Sequence, residues 1–348
     1  MKKCGRSQFK LTRRNVLAGA AVSGAAFIGN PRFARAADTL TLRLDWSTHG
    51  MHAPFFLSLK KGWFQRADLD IRIEDGNGST TTVQLVGGGQ FDIGHAALAP
   101  MAMGRAKGLP VVSLAGFIRK GDTGVLVPRD KGWTKPSDLI GKKIIYTAGS
   151  LEGPFVKPFF EKSGVSLDKL SLLNVDASAK VGLYLASEAD AAISTVPFIL
   201  PIAEGKRPSE GILFADFGLD LPGFGLVAQT SSLNSKKQSI KRFVSVVCGA
   251  WSYILAGHEE EAVEAIREYR PNAQPSNKQL VGQIRAYRPF FYTKNTIQSA
   301  PGLQSGADWE KTISDLEAAN TIPRGTKPTD YFVNDFIDSG IFEKVSKA

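Results

Sequence analysis

Twice along this chain, short aliphatic and β-branched runs alternate with segments of helical period, and that order admits few architectures. The first series reads as strands over Leu40–Leu44, Leu69–Ile73, Phe91–Gly94 and Val111–Gly116. Helices over His52–Phe64, Ser79–Val86 and Ala97–Lys107 separate them. The second reads as strands over residues 125–127, 143–146, 170–174, 191–193, 211–215 and 225–228, with helices over 153–163, 179–186 and 197–204. Strands alternating with helices of this length predict a parallel sheet covered on both faces. From Ser235 the pattern is helical, over 235–256, 259–269, 276–288, 307–319 and 330–338, with Ser235 and Ser276 as N-caps. Two similar α/β halves and a helical tail predict two lobes around a cleft. The chain crosses between them near Gly116–Thr123 and returns near Ala215–Phe224.

The N-terminus follows a different logic. Residues 2–14 carry Lys2, Lys3, Arg6, Lys10, Arg13 and Arg14 and no acid; an apolar run from Val16 to Ile28 and the small-residue site Ala34-Arg35-Ala36 follow. Charged, apolar and cleavable segments in that order read as an export signal. Thr12-Arg13-Arg14-Asn15-Val16-Leu17 resembles the twin-arginine signal, an address rather than an anchor. The run is shorter than the roughly 20 apolar residues a membrane span needs. Cleavage near Ala36 places the mature protein in the periplasm and leaves 312 of the 348 residues, enough for two domains.

Cleavage also reassigns the charge. The signal holds eight basic and no acidic residues, so the mature chain has 35 basic and 33 acidic residues and a net charge of +2 instead of +10. The high pI therefore belongs to the discarded segment, and nucleic acid is not an expected partner. Cys4 leaves with the signal, which makes an internal disulfide impossible. Cys248, in an apolar helical run, is expected to be buried.

Catalytic signatures are scarce. Gly87-Gly88-Gly89 lacks the lysine of a phosphate-binding loop and reads as a helix stop. Gly149-Ser150-Leu151-Glu152-Gly153 has its serine one place too early for a nucleophile elbow, and His258-Glu259 lacks the second histidine of a zinc helix. In the mature chain four histidines and one cysteine make a structural zinc site improbable, and no cofactor is expected.

Binding features are richer. In open α/β sheets ligands sit beyond the carboxyl ends of the strands, where helix N-termini offer free N–H groups. The corresponding segments are Asp45–His49, Gly76–Thr82 with Ser79 and Thr80, His95-Ala96, Phe117, Thr147–Gly153 with Ser150 and Glu152, Asp176–Ala179, and Ser194-Thr195. Such loops hold a planar ligand by stacking and fix its edge by hydrogen bonds. Each residue also has a structural reading. Trp46 and Phe56 fit a core, His52 fits a residue packing its own helix, and Ser79 and Thr80 fit N-caps. Glu152 fits an acid at a helix start, and Asp45 and Asp176 fit turns.

The order of motifs is itself informative: Leu44-Asp45-Trp46, His52, Phe56, Lys61-Gly62-Trp63-Phe64, Leu69-Asp70-Ile71, Val83-Gln84-Leu85, Gly89-Gln90-Phe91-Asp92-Ile93-Gly94, Asp138–Ile144 and Asp216-Phe217-Gly218. In these the sequence resembles the thiamine-pyrimidine-precursor-binding branch of ABC-importer solute-binding proteins, which also includes sulfonate-, taurine- and nitrate-binding relatives. The resemblance covers nearly the whole mature chain. It implies a two-lobed periplasmic-binding-protein fold of type II-like form, each lobe a mostly parallel sheet flanked by helices, with a helical C-terminal tail. Residues 1–36 are the signal, 37–117 and 216–348 form lobe 1 with the tail, and 118–215 form lobe 2. It further implies a small-molecule ligand in the cleft, docking on a membrane permease, and a monomer.

Asp-Trp followed by a histidine six residues after the Trp is similar to the pyrimidine-precursor branch. By that analogy Asp45, Trp46, His52, Phe117, Ser150, Glu152, Asp176 and Asp216 hold a planar heterocycle, and Phe56, Ser79, Thr80, His95 and Thr195 complete the candidate set. Phe56 stands where that branch commonly has a tyrosine, which leaves room for a less polar ligand. The cysteine-rich motif of the family's eukaryotic pyrimidine-synthesising enzymes is absent, and Cys248 cannot supply it, so a binding protein rather than an enzyme is expected.

Overall fold

Strands β1 (Asp38–Arg43), β2 (Leu69–Glu74), β3 (Ile93–Ala97) and β4 (Val111–Gly116) belong to one five-stranded sheet; β5 (Thr123–Pro128), β6 (Lys143–Tyr146), β7 (Ser171–Asn174), β8 (Ala191–Thr195) and β9 (Ser209–Leu213) form a second; and β10 (Phe224–Gln229) returns to the first. These come from a computed structural model that describes Met1 and residues 37–348. The export-signal segment, including Cys4, Thr12–Leu17 and the cleavage site near Ala36, lies outside the described residues.

The strand orders are β2-β1-β3-β10-β4 and β7-β6-β8-β5-β9. Each sheet is evenly mixed rather than mostly parallel, because β10 runs antiparallel to β3 and β4, and β5 antiparallel to β8 and β9. The reason lies in the connections. Parallel neighbours need a crossover of a dozen or more residues, usually a helix. The chain instead reaches β5 directly from β4 through residues 117–122, and β10 directly from the second sheet, so no crossover helix sets their direction.

Helices cover both sheets: α1 (Ala53–Lys60), α2 (Trp63–Arg66), α3 (Ser79–Gly87) and α4 (Leu98–Ala106) in the first lobe, and α5 (Val156–Lys162), α6 (Ala177–Leu185) and α7 (Val196–Ala203) in the second. The expected helix over His52–Phe64 is broken in two. Gly62 takes φ +64°, the left-handed conformation that ends α1 and that glycine adopts without a Cβ penalty. Likewise the helix expected over 153–163 opens with a 3-10 turn at Gly153–Phe155. The third strand starts two residues later than its apolar run suggests and continues through His95, which gives that histidine a fixed position.

The tail contains α8 (Ser232–Ser235), α9 (Lys237–Leu255), α10 (Glu259–Tyr269), α11 (Asn277–Tyr287), α12 (Gly306–Ala318) and α13 (Ser339–Ser346). Ser276 caps α11 through a reciprocal box with Gln279, whereas Ser235 ends α8 rather than capping α9. The segment 330–338 is not helical as expected. Ser113 N donates to Tyr331 O and Val333 N donates to Ser113 O, both over 2.9 Å, so this segment covers the exposed edge of β4. A sheet edge carries unpaired backbone groups that need partners, and that need outweighs the local helical pattern.

The apolar faces explain the layers. Leu40 and Leu42 of β1, with Leu44 just beyond it, alternate inward and pack with Phe55, Phe64 and Phe243. Val125, Ile144, Ile193 and Ile212 do the same in the second lobe against Phe155, Phe159 and Phe214. Cys248 is fully buried in α9 and burial pushes its thiol up to about 12, which suits an inert core residue. Among the described residues no helix is long and apolar enough to cross a membrane.

Candidate functional site

The segment that follows β1 carries the densest polar chemistry in the fold. Two backbone bonds fix it: Gly76 N donates to Trp46 O over 3.0 Å and Gly78 N to Asp45 O over 2.6 Å. Asp45 is then surrounded by histidines. His52 Nε2 lies 2.8 Å and His95 Nδ1 2.7 Å from Asp45 Oδ1, and His49 Nε2 lies 3.8 Å from Oδ2. All four residues are buried. Burial pushes the Asp45 carboxyl up, but the three histidines outweigh it and hold the group well below the usual carboxylate range. Asp45 is therefore a fixed anion.

The histidine geometry is set locally. His49 N donates to His52 Nδ1 over 3.2 Å, and Met51 N to His49 Nδ1 over 3.4 Å. With an N–H aimed at Nδ1, the proton of His52 must sit on Nε2, where it is donated to Asp45. Burial, followed by the proximity of His49, drives the His52 imidazole down to about 3, so it is neutral. Asp45, His52 and His95 also place three potential ligand atoms close together. A metal on His52 Nε2 would require a proton on Nδ1, against the His49 N–H already there, so the cluster fits a hydrogen-bond network better than a metal site.

Beside this network lies a small cavity. Asp45, Trp46, His49 and Phe224 line it from the first lobe; Ser150, Leu151, Lys180, Ser194, Thr195 and Phe198 line it from the second. Trp46 and Phe198 also border a broad groove, whose walls include Thr48, Asn77 and Thr81 on one side and Thr147, Asn174 and Asp176 on the other. The cavity is thus the deep end of an interlobe cleft.

The lobes touch around it. Thr80 Oγ1 donates to Ser150 O over 3.1 Å, and Thr195 Oγ1 and Tyr287 OH are 2.8 Å apart. Gln283 of α11 ties both sides, accepting from Gly50 N and donating to Phe198 O, each over 2.9 Å. On the second-lobe wall, Lys180 Nζ donates to Glu152 Oε1 and stands 5.0 Å from the Trp46 ring centre. Close by, Asp122 is wholly buried in the segment entering β5, and neither of its carboxyl oxygens has a hydrogen-bond partner. Burial, reinforced by the charge of Asp45, pushes Asp122 up to about 7.

Of the residues chosen from sequence, Asp45, Trp46, Ser150 and Thr195 line the cavity. His52 and His95 stand behind Asp45, Glu152 behind Lys180, and Thr80 bridges the lobes. Ser79 Oγ accepts from Ala97 N over 3.1 Å, a structural role at the α3 start. Asp176 borders the outer groove. Three residues lie elsewhere. Phe56 is buried between α1 and α10, stacked near Tyr269 and under Arg270. Phe117 packs on Trp251, and Asp216 is exposed in a 3-10 turn. Lys180, Phe198, Phe224, Asp122 and Tyr287 escaped the sequence reading. Periodicity marks the aromatics as core, and only the buried position of Lys180 distinguishes it from a surface lysine.

Comparison with known proteins agrees with this architecture. The chain is 24% identical over 307 residues to the formylaminopyrimidine-binding protein of Halalkalibacterium halodurans, covering 85% of this chain and 90% of that protein. It is 23% identical over 297 residues to a 4-amino-5-hydroxymethyl-2-methylpyrimidine phosphate synthase of Aspergillus parasiticus, covering 80% and 81%. In fold it is similar to the alkanesulfonate-binding protein SsuA of Xanthomonas axonopodis pv. citri, with a TM-score of 0.64, 15% identity, and coverage of 85% of this chain and 98% of that one. The two-lobed periplasmic-binding-protein fold expected from the sequence is therefore the fold observed. Residues 49–262 match the family described as NMT1/THI5 like, and the chain belongs to that family.

Proposed function

We propose that this protein is the periplasmic solute-binding component of an ABC-type importer, that it closes its two lobes on a small planar heterocycle of the pyrimidine type, and that it delivers this solute to a membrane permease. One observation carries the reading: a carboxylate fixed as an anion, Asp45, adjoins an aromatic ring, Trp46, in a small cavity between the lobes. A flat ring stacked on Trp46 and donating amino hydrogens to Asp45 satisfies both. The family relative named for binding a formylaminopyrimidine supports the same ligand class.

Closure follows from the contacts. Asp45 and Trp46 belong to one lobe, and Ser150, Ser194 and Thr195 to the other, so a ligand touching both favours the closed form by the difference in its affinity for the two states. A sulfonate or nitrate carries acceptors and negative charge, which Asp45 repels. Thermal-shift measurements on the purified protein test the reading: a pyrimidine bearing an exocyclic amine raises Tm with concentration. A shift produced only by sulfonates or nitrate contradicts the ligand class, and conversion of the pyrimidine into a product contradicts the binding role.

A further inference from the structure

We infer that Gln283 is a positioning residue of the cavity: its side-chain amide joins the His49 turn of the first lobe to Phe198 of the second and so holds two cavity walls at their closed spacing. The inference rests on the receptor reading above and adds to it a residue that couples closure to affinity.

Gln283 belongs to α11 and is 0% exposed. Its Oε1 accepts from Gly50 N and its Nε2 donates to Phe198 O, each over 2.9 Å. A backbone N–H needs an acceptor and a carbonyl needs a donor, so these partners fix which way the amide points. Gly50 opens the 3-10 turn that His49 caps. His49 and Phe198 line the cavity, with their rings 5.1 Å apart and edge to face. Gln283 stands behind both and acts on the ligand only through them.

Its neighbours on the helix show what this face does. Gln279, Gln283 and Tyr287 recur every four residues and share one side of α11. Gln279 Nε2 donates to Ile202 O over 3.5 Å, and Tyr287 OH is 2.8 Å from Thr195 Oγ1, so this side lies along α7 of the second lobe. Gln283 carries the contact on to the first lobe. The approach there is close, since a Cβ on Gly50 would lie 2.8 Å from Gln283 Cβ. Parting the lobes breaks one of the two amide bonds and lets the freed groups reach water at little cost. With the amide removed, the Gly50 N–H loses its acceptor while it is still buried, and this penalty falls on the closed form. The clamp therefore favours closure and, through closure, retention of the ligand.

Two variants test it. Gln283→Met keeps the length of the side chain and removes both bonds. With its melting transition retained, it is expected to bind 4-amino-5-hydroxymethyl-2-methylpyrimidine about 5- to 30-fold more weakly than the wild type in calorimetric titration. Stopped-flow fluorescence is expected to place that loss in the dissociation rate. Gln283→Glu separates hydrogen bonding from packing, because a protonated glutamic acid offers an acceptor and a donor and an ionised one offers acceptors only. Its affinity relative to the wild type at the same pH is expected to approach one near pH 5 and to fall as pH rises to about 9. His49 and His52 of the turn, Glu259 and Glu260 of α10 and Tyr287 of α11 are common to both proteins and cancel in the ratio. A Met variant within about twofold of the wild type, or a Glu ratio that does not change with pH, overturns the inference. The Glu profile decides alone if Gln283→Met does not fold. Failure of the wild type to bind the pyrimidine contradicts the proposed function itself, and X-ray scattering of the ligand-free proteins then decides the clamp. A larger radius of gyration in Gln283→Met supports it, and equal radii overturn it.

Discussion

His95, on β3, hydrogen-bonds Asp45 over 2.7 Å and so fastens the loop after β1 to the neighbouring strand. His52 meets the same oxygen from the start of α1. One buried carboxylate thus joins three elements before any ligand arrives. Asp45→Asn can satisfy only part of this network and is expected to lower stability by about 2–4 kcal/mol in urea unfolding. A loss below about 0.5 kcal/mol would show that the histidines do not depend on the charge.

Asp122 sets a pH dependence. Its carboxyl titrates near 7 in the folded protein, against an ordinary value of 3.8. Between about pH 4 and 7 the folded form holds a proton that the unfolded chain has released, so this contribution is complete below that window and is lost as pH rises through it. His52, driven down to about 3, acts in the opposite sense: its contribution is complete above 6.5 and is lost as pH falls. The two slopes offset each other in the wild type. Asp122→Asn removes one, so its stability relative to wild type is expected to improve by about 1.4 kcal/mol per pH unit across the window. Parallel stability–pH curves for the two proteins would refute the assignment.

In the proposed reading Trp46 is the stacking platform. It borders both the cavity and the groove. Trp46→Ala is expected to weaken pyrimidine binding about 10- to 100-fold, the scale of a lost aromatic contact. Lys237→Ala, on an exposed turn of α9, is the control and leaves binding unchanged. Equal affinities in the two variants would remove Trp46 from the site.

Gly78 tests closure. Its φ is +145°, and a Cβ there would lie 2.7 Å from the Gly149 carbonyl carbon across the cleft. Only glycine lets the two backbones approach so closely. Gly78→Ala is expected to hold the lobes apart, so X-ray scattering at saturating ligand should keep the larger radius of the open form. Compaction equal to that of the wild type would mean that this contact does not limit closure.

The two-lobed fold was legible because strand–helix alternation and its turn signals are local properties of the chain. What failed was set by partners distant in sequence. Residues 330–338 carry a helical pattern but complete the edge of β4 through Ser113, and β5 and β10 take their direction from connections between lobes. The site divides in the same way. Asp45 and Trp46 follow β1, Ser150 lies in the loop after β6 and Thr195 ends β8, positions that sequence order alone places near a cleft. Phe224 and Phe198 enter from segments whose composition reads as core. Lys180 is one lysine among many until Glu152, 28 residues away, is seen beside it. Phe56 and Phe117 show the converse, since resemblance placed in the cleft two rings that pack against Tyr269 and Trp251.

The central claim is that the cleft receives an amine-bearing heterocycle. Calorimetric titration of the purified protein with 4-amino-5-hydroxymethyl-2-methylpyrimidine, beside methanesulfonate and nitrate, tests it most directly. Saturable one-to-one binding of the pyrimidine, with no heat from the two anions, is the expected result. Saturable binding of methanesulfonate or nitrate without the pyrimidine would contradict the account, because a ligand made of acceptors and negative charge cannot be what the Asp45 carboxylate and the Trp46 ring are arranged to hold.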